Sequence, residues 1–331
     1  MEGEGRYHRQ QLVDRWDQEK VRRARVFIAG VGALGSVAAL NLAMMGVGEL
    51  VLVDYDTVEV SNLNRQLLYR EGDVGRNKAE AAREFLLEVN PEVTVKVFPN
   101  NITEVPRGEY ERCNVIIDGL DTFEARRWLN SLAVDLRKPL VHGGIYGWWG
   151  NVQVVVPYVT PCLECQPLVS KERLAQPCTP AGESRKTERG GPEEGATPAV
   201  VTVSCVIGGL QAQETAKIIL GLEPFNGYLF YDGLSGVFTA IELRRNPKCV
   251  VCGEEYAVEG VEYALDPNET FGEFKERVKL TFGLGDPVRI VHAARLVGDG
   301  EVIGNVVKDG GLLFVYDQTR AKPVKIKVRF S

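Results

Sequence analysis

Arg25-Val-Phe-Ile-Ala-Gly30-Val-Gly32-Ala-Leu-Gly35 is a short apolar run that ends in a glycine-rich turn. Ala33 to Met45 reads as a helix, and a second apolar run, Glu49-Leu-Val-Leu-Val-Asp54, reads as the next strand. Strand, helix and strand in this order open a βαβ unit with parallel strands. The alternation continues outward: a helix from Asn77 to Val89, strands at Val93 to Phe98 and Asn114 to Ile117, and a helix from Phe123 to Leu136. A parallel sheet covered by helices follows from that order.

From Asn151 to Val156 the pattern stays strand-like, and Tyr228 to Tyr231 and Val237 to Leu243 add two segments able to pair antiparallel. Between them Ala199 to Leu220 reads as a long apolar helix. Tyr146-Gly-Trp148-Trp149-Gly150 is expected to be a sheet corner in the core, the alternative being an apolar platform for a partner protein. Glu183 to Gly195 holds no apolar residue and three glycines, so it is expected to be mobile. After Cys252 a separate unit begins, with a helix at Phe271 to Phe282 and strands at Val288 to Val291, Gly311 to Tyr316 and Val324 to Phe330. The expected fold class is α/β: a Rossmann-like, doubly wound, mostly parallel sheet with an antiparallel extension, followed by a small α+β domain. The expected boundaries are 1–253, with a cysteine-bearing crossover loop at about 166–198, and 258–331.

The composition bounds the function. At 331 residues the chain exceeds what one core usually serves, which suits a large domain with a small one appended. Apolar residues at 44% and charged residues at 25% are ordinary for a soluble globular protein. A net charge of −6 argues against nucleic acid as the main partner. No apolar run approaches the roughly 18 residues of a membrane span, and the polar start from Met1 to Arg6 has no signal-peptide core, so the expected location is the cytoplasm.

Glycines 30, 32 and 35 allow a tight turn and let backbone N–H groups approach a phosphate at a helix N-terminus. Asp54 ends the next strand 54 − 35 = 19 residues later, where an acid bonds a ribose hydroxyl. Together they specify an adenosine nucleotide without choosing NAD or ATP. Beyond them, Asn62-Leu-Asn64-Arg65-Gln66 and Gly75-Arg76-Asn77-Lys78 bring Arg65 and Lys78, positive charge suited to a triphosphate and to the negative charge of its transfer. An NAD-dependent dehydrogenase is therefore disfavoured.

Of seven cysteines, four form two C-x-x-C pairs, Cys162/Cys165 and Cys249/Cys252, which together would complete a structural tetrahedral zinc site. Cys178 lies in Gln176-Pro177-Cys178-Thr179-Pro180, beside the charged segment, where an exposed thiolate can attack an acyl-adenylate and form a thioester. Cys113 and Cys205 are read as packing residues, and none of His8, His142 and His292 is assigned catalysis.

From Arg6-Tyr-His-Arg9-Gln through Cys252 the sequence resembles the ThiF-type adenylyltransferases, which include the molybdopterin and thiazole activating enzymes and the ubiquitin-activating family. The resemblance implies that Asp54 binds ribose, that Asn62, Arg65 and Lys78 contact phosphates, that Asp121 in Asp118-Gly-Leu-Asp121 holds magnesium, and that Asn101 lines the adenine pocket. It further implies that Arg9 reaches into the site of a dimer mate, hence a homodimer. Many members carry asparagine after the magnesium aspartate, where this chain has Thr122. The two cysteine pairs recur in the family. Pro177-Cys178-Thr179 resembles the Pro-x-Cys-Thr text of ubiquitin-activating enzymes, and Thr270 to Val278 with Pro287 to Val291 resembles their ubiquitin-like terminal domains, which recruit a conjugating enzyme.

The expected function is ATP- and Mg2+-dependent adenylation of a ubiquitin-like modifier ending in Gly-Gly, with thioester formation at Cys178 and transfer to the conjugating enzyme. The alternative is a sulfur-carrier-protein adenylyltransferase of molybdopterin or thiazole biosynthesis. A non-enzymatic partner chain is disfavoured because the phosphate-site residues are all present.

Overall fold

The structure, a computed structural model, describes residues 5–166, 198–249, 251–253, 261–292, 295–316 and 324–331. Cys178 and the charged segment lie outside the described residues. Two short helices, α1 (His8–Gln11) and α2 (Gln18–Arg23), precede the first strand. Asp17 starts α2 by accepting from the backbone N–H groups of Glu19 and Lys20, the ordinary use of an acid at an N-cap.

The first sheet follows as β1 (Arg25–Ala29), α3 (Ala33–Met45), β2 (Glu49–Val53), α4 (Lys78–Val89), β3 (Thr94–Phe98), α5 (Arg107–Glu111), β4 (Val115–Asp118), α6 (Phe123–Asp135), β5 (Leu140–Tyr146), β6 (Trp149–Val155), α7 (Val201–Leu220), β7 (Tyr228–Asp232) and β8 (Val237–Ile241). Its order is β3-β2-β1-β4-β5-β6-β7-β8. The strands from β3 to β5 run parallel and β6, β7 and β8 pair antiparallel, so the expected parallel sheet with an antiparallel extension is present, with β5 a strand that the sequence reading does not contain.

Side-chain alternation sorts the central strands between two layers. Val26, Ile28, Leu50 and Leu52 pack with Ala39 and Leu42 of α3 and Leu86 of α4. Phe27, Ala29, Val51 and Val53 pack on the other face with Tyr110, Trp128 and Leu129 from α5 and α6. A strand buried on both faces must be apolar throughout, which is why β1 and β2 read as continuous runs. Each fully buried large side chain contributes about 1.5–3 kcal/mol.

The antiparallel extension is covered less completely. Trp148 and Trp149, expected in a core corner, are instead 45% and 38% exposed, and Leu234, Val237, Phe238 and Ile241 are exposed beside them. Strand β8 is a sheet edge, so its outer side meets no further strand among the described residues.

The second sheet consists of β9 (Val261–Leu265), α8 (Phe271–Phe282), β10 (Arg289–His292), β11 (Arg295–Leu296), α9 (Ile303–Val306), β12 (Leu312–Tyr316) and β13 (Val324–Phe330). Its order is β11-β10-β12-β13-β9, with the first and last strands, β9 and β13, parallel. Helix α8 starts in a reciprocal cap between Thr270 and Glu273 and ends at Gly283 in the left-handed region. It lays Phe271, Phe274 and Val278 on Ile290, Leu313, Ile326 and Val328. This is the expected small α+β domain, with its own core.

Candidate nucleotide site and cysteine cluster

Strand order reverses between β1 and β4, and in an open α/β sheet the crevice outside such a switch point is where ligands bind. A cavity of about 940 Å³ opens there, lined by Gly30, Gly32, Asp54, Asn62, Arg65, Lys78, Asn101 and Asp121 among others. Eight residues expected at a nucleotide site thus meet in one cavity.

The three loop glycines have different physical reasons. Gly30 has φ +83°, and a Cβ there would lie 2.8 Å from the Gly119 carbonyl oxygen. At Gly35 an added Cβ would lie 1.9 Å from the Gly30 oxygen, so helix and strand pack only through glycine. Around Gly32, the N-cap of α3, the nearest protein atom to such a Cβ is Gln66 Nε2 at 3.9 Å. The protein itself leaves that space open, which fits a phosphate on the N-terminus of α3.

Asp54 is tied at both oxygens: Val31 N–H donates to Oδ2 at 2.8 Å and Asp56 N–H to Oδ1 at 2.9 Å. Burial pushes its carboxyl up from the usual range, against the lowering by those N–H groups and Lys78. Asn77 starts α4, accepting from Glu80 N–H and donating to the Asp54 carbonyl. That cap aims the next residue, Lys78, into the cavity, where its ammonium lies 2.8 Å from Asp56 Oδ2. Asn62 Oδ1 accepts from Glu59 N–H, and Arg65 donates to the Ser61 carbonyl and Asn64 Oδ1.

Across the switch point, Asp118 is buried and receives Leu120 N–H on Oδ1, while its Oδ2 lies 2.7 Å from His142 Nδ1. Gln211 of α7 donates to the Asp118 and Val141 carbonyls. Arg126 donates to the Leu120 carbonyl. These bonds hold the Gly119-Leu120 turn that presents exposed Asp121. Thr122 caps α6 by accepting from Ala125 N–H, so the departure from asparagine has a local structural role. Asn101 caps the turn Ile102–Glu104, accepting from Thr103 N–H. Arg9 is exposed on α1 and is not among the residues lining the cavity.

Several lining residues are given no role by the sequence analysis. Gln66 is buried, with its Oε1 lacking a hydrogen-bond partner among the described residues, and Arg126 is buried as well. Arg289, Val291, Leu296 and Tyr316 come from the second sheet, although the sequence places the nucleotide site wholly before Cys252. Only their spatial return to α6 reveals them.

Cys162, Cys165, Cys249 and Cys252 are buried with all four sulfurs within 4.8 Å of one another. Sulfurs about 2.3 Å from a central zinc stand about 3.8 Å apart in a tetrahedron. Three of the pairs stand 3.6 Å (Cys162–Cys249), 3.9 Å (Cys162–Cys165) and 3.3 Å (Cys165–Cys252) apart, so the donor set fits zinc, and none of the four is in a disulfide. Asn246 N–H donates to Cys165 Sγ, support of the kind that holds a metal-binding thiolate. Cys113 is buried as expected, whereas Cys205 is exposed on α7 and is not a packing residue.

Residues 6–251 match the ThiF family. The chain belongs to that family. It is 38% identical to a sulfur carrier protein adenylyltransferase of Thermus thermophilus, over 76% of this chain and 91% of that protein. To the SAMP-activating enzyme E1 of Haloferax volcanii it is 36% identical, over 75% of this chain and 88% of that one. Its fold is similar to that of E. coli MccB solved with AMPCPP and MccA: TM-score 0.61, 26% identity, 75% of this chain and 74% of that one. The chain is thus an adenylyltransferase of the ThiF family, and its second sheet lies beyond the family match.

Proposed function

We propose that this ThiF-family chain adenylates the C-terminal carboxylate of a small ubiquitin-like or sulfur-carrier protein, using ATP and Mg2+. The observation that carries the reading is the convergence of the glycine loop, Asp54, Lys78, Arg65 and Asp121 on one switch-point cavity. A carboxylate oxygen of the carrier attacks the α-phosphorus, the bond from that phosphorus to the bridging oxygen breaks, and pyrophosphate leaves with the electron pair. The N–H groups at the start of α3, Lys78 and Arg65 offset the charge that grows on the phosphate oxygens. Asp54 fixes the ribose, and Asp121 would hold the magnesium, which supplies further neutralisation of that charge. The buried cysteines would hold a structural zinc, since four thiolates leave no position for water.

After adenylation, two pathways diverge. In the first, Cys178 takes the acyl group as a thioester, the C-terminal domain presents it to a conjugating enzyme, and Arg9 completes the site of a homodimer mate. In the second, the acyl-adenylate is handed to sulfur chemistry, as the names of several relatives suggest. The exposed Trp148, Trp149 and Phe238 offer a carrier protein an apolar docking face in either pathway. ATP–pyrophosphate exchange that depends on a carrier ending in Gly-Gly tests the common first step; exchange absent with every such carrier encoded in the genome of origin would overturn it.

A further inference from the structure

Resting on that adenylation reading, we propose that the C-terminal sheet is part of the nucleotide site, with Leu296 and Val291 forming the wall against which the base of ATP packs. Asp54 fixes the ribose end and the glycine loop the phosphate end, so the base must lie toward the chain that leaves β3 and β4, at Asn101, Ile102 and Leu120. That is where the second sheet arrives. Strand β11 packs on the turn Ile102–Glu104, and Arg289, Val291, Leu296 and Tyr316 line the same cavity as Asp54 and Gly32. Leu296 is 38% exposed, and the partly buried Leu120 lies in the same lining. Apolar side chains on two sides, with a few polar groups at one end, suit a planar purine.

The wall is anchored. Tyr316 is buried and donates to Ser131 Oγ at 2.9 Å, and the Arg127 guanidinium stacks 5.8 Å from its ring. Arg289 pairs with Glu124 at 2.7 Å, and Val291 and Tyr316 share one apolar core with Trp128, Leu129 and the four cysteines. The family match ends at residue 251, so these contacts join its matched part to strands that lie beyond it.

The experiment uses the full chain. Binding of ATP and of inorganic tripolyphosphate is measured by calorimetry for wild type, Leu296→Asp, Leu296→Ala and a surface control, Leu280→Asp. An unchanged melting temperature in both Leu296 variants certifies the fold. Removing this apolar contact is expected to weaken ATP binding roughly tenfold for Leu296→Ala and more for Leu296→Asp. Tripolyphosphate binding stays at the wild-type value, and in pyrophosphate exchange the larger change falls on KM for ATP. ATP binding equal to wild type in both variants overturns the wall while leaving adenylation standing. Tighter binding overturns it too, because β11 would then obstruct the cavity. A wild-type chain that binds no ATP removes the adenylation reading itself.

Discussion

The ammonium of Lys78 lies 2.8 Å from the Asp56 carboxylate, and the lysine is only 7% exposed. A buried charge needs a partner, and Asp56 supplies it at the cavity's edge while remaining itself half in solvent. A bound triphosphate offers the same lysine denser negative charge. Lys78→Ala is therefore expected to lower the rate of pyrophosphate exchange by about 10²–10³ with little change in the amount of folded protein. Arg65→Ala and Asp121→Ala should also abolish most exchange and leave the melting temperature within a few degrees. Normal exchange in the Lys78 variant would remove it from the phosphate site.

Gly32 and Gly35 separate function from folding within one motif. An alanine at 35 would force its Cβ to 1.9 Å from a backbone oxygen, whereas at 32 it meets nothing nearer than 3.9 Å. Gly35→Ala is expected to melt well below wild type or to be insoluble. Gly32→Ala should melt like wild type yet bind ATP at least tenfold more weakly, because the methyl occupies the phosphate's approach. Thermal melts and calorimetry on the two variants decide it.

The cysteine cluster predicts one zinc per chain by elemental analysis. Two of its ligands follow β6 and two follow β8, on either side of α7, so the metal would tie the segment after β6 to the segment that leads into the second sheet. Stripping the metal with a strong chelator is expected to lower the melting temperature and to expose four thiols to a chromogenic disulfide reagent, since binding energy here is folding energy. Protein that folds normally with all four cysteines changed to serine would refute the structural role.

Two helices whose sequence carries both an apolar pattern and an end signal, Ala33–Met45 and Phe271–Phe282, are read from sequence at the same bounds as in the structure. Strand β5 carries no such signal. Its run is broken by Gly143 and Gly144, and the reason is distant in sequence: a Cβ at 143 would lie 2.6 Å from the Gln211 side chain, which ties Asp118 to Val141. Trp148 and Trp149 depart from expectation because size and apolarity argue for burial, while the sequence does not show how incompletely the described residues cover this end of the antiparallel extension. At the site, the glycine loop and the spacing to Asp54 pick out the residues proposed for phosphate and ribose, because one βαβ unit and the helix that follows it bring Val31, Asp54 and Lys78 together. The His142–Asp118 contact and the wall from the second sheet depend on tertiary return and leave no pattern to read.

Burial pushes the Cys113 thiol up to about 12, and its sulfur donates to the Glu109 carbonyl. At pH 8 only about one part in 10⁴ is thiolate, so Cys113 is expected to resist alkylation in the native protein while exposed Cys205 reacts. The folded value lies above the unfolded one of about 8.5–9, so the thiol's contribution to stability is intact below that and is lost as pH rises toward 12. Cys113→Ala should flatten the loss of stability between pH 9 and about 11 in denaturant titrations.

Cys178 decides between conjugation and sulfur transfer, and the described cysteines narrow what else could carry an acyl group. Cys113 is shielded, and the four clustered thiols are turned toward one another, which leaves Cys205 on α7 as the described alternative. Incubating the chain with ATP, Mg2+ and a Gly-Gly carrier, then running non-reducing gels with and without added thiol, is expected to give a thiol-sensitive adduct. Cys178→Ala should abolish that adduct and keep pyrophosphate exchange, because no residue lining the described cavity lies near it in sequence. Cys178→Ser should give a slow adduct that resists thiol treatment, since a hydroxyl of far higher pKa forms an ester. An adduct that survives in Cys178→Ala but is lost in Cys205→Ala moves the nucleophile to α7. Carrier-dependent exchange with no adduct in wild type selects the sulfur-carrier pathway, in which the acyl-adenylate itself is the product passed on.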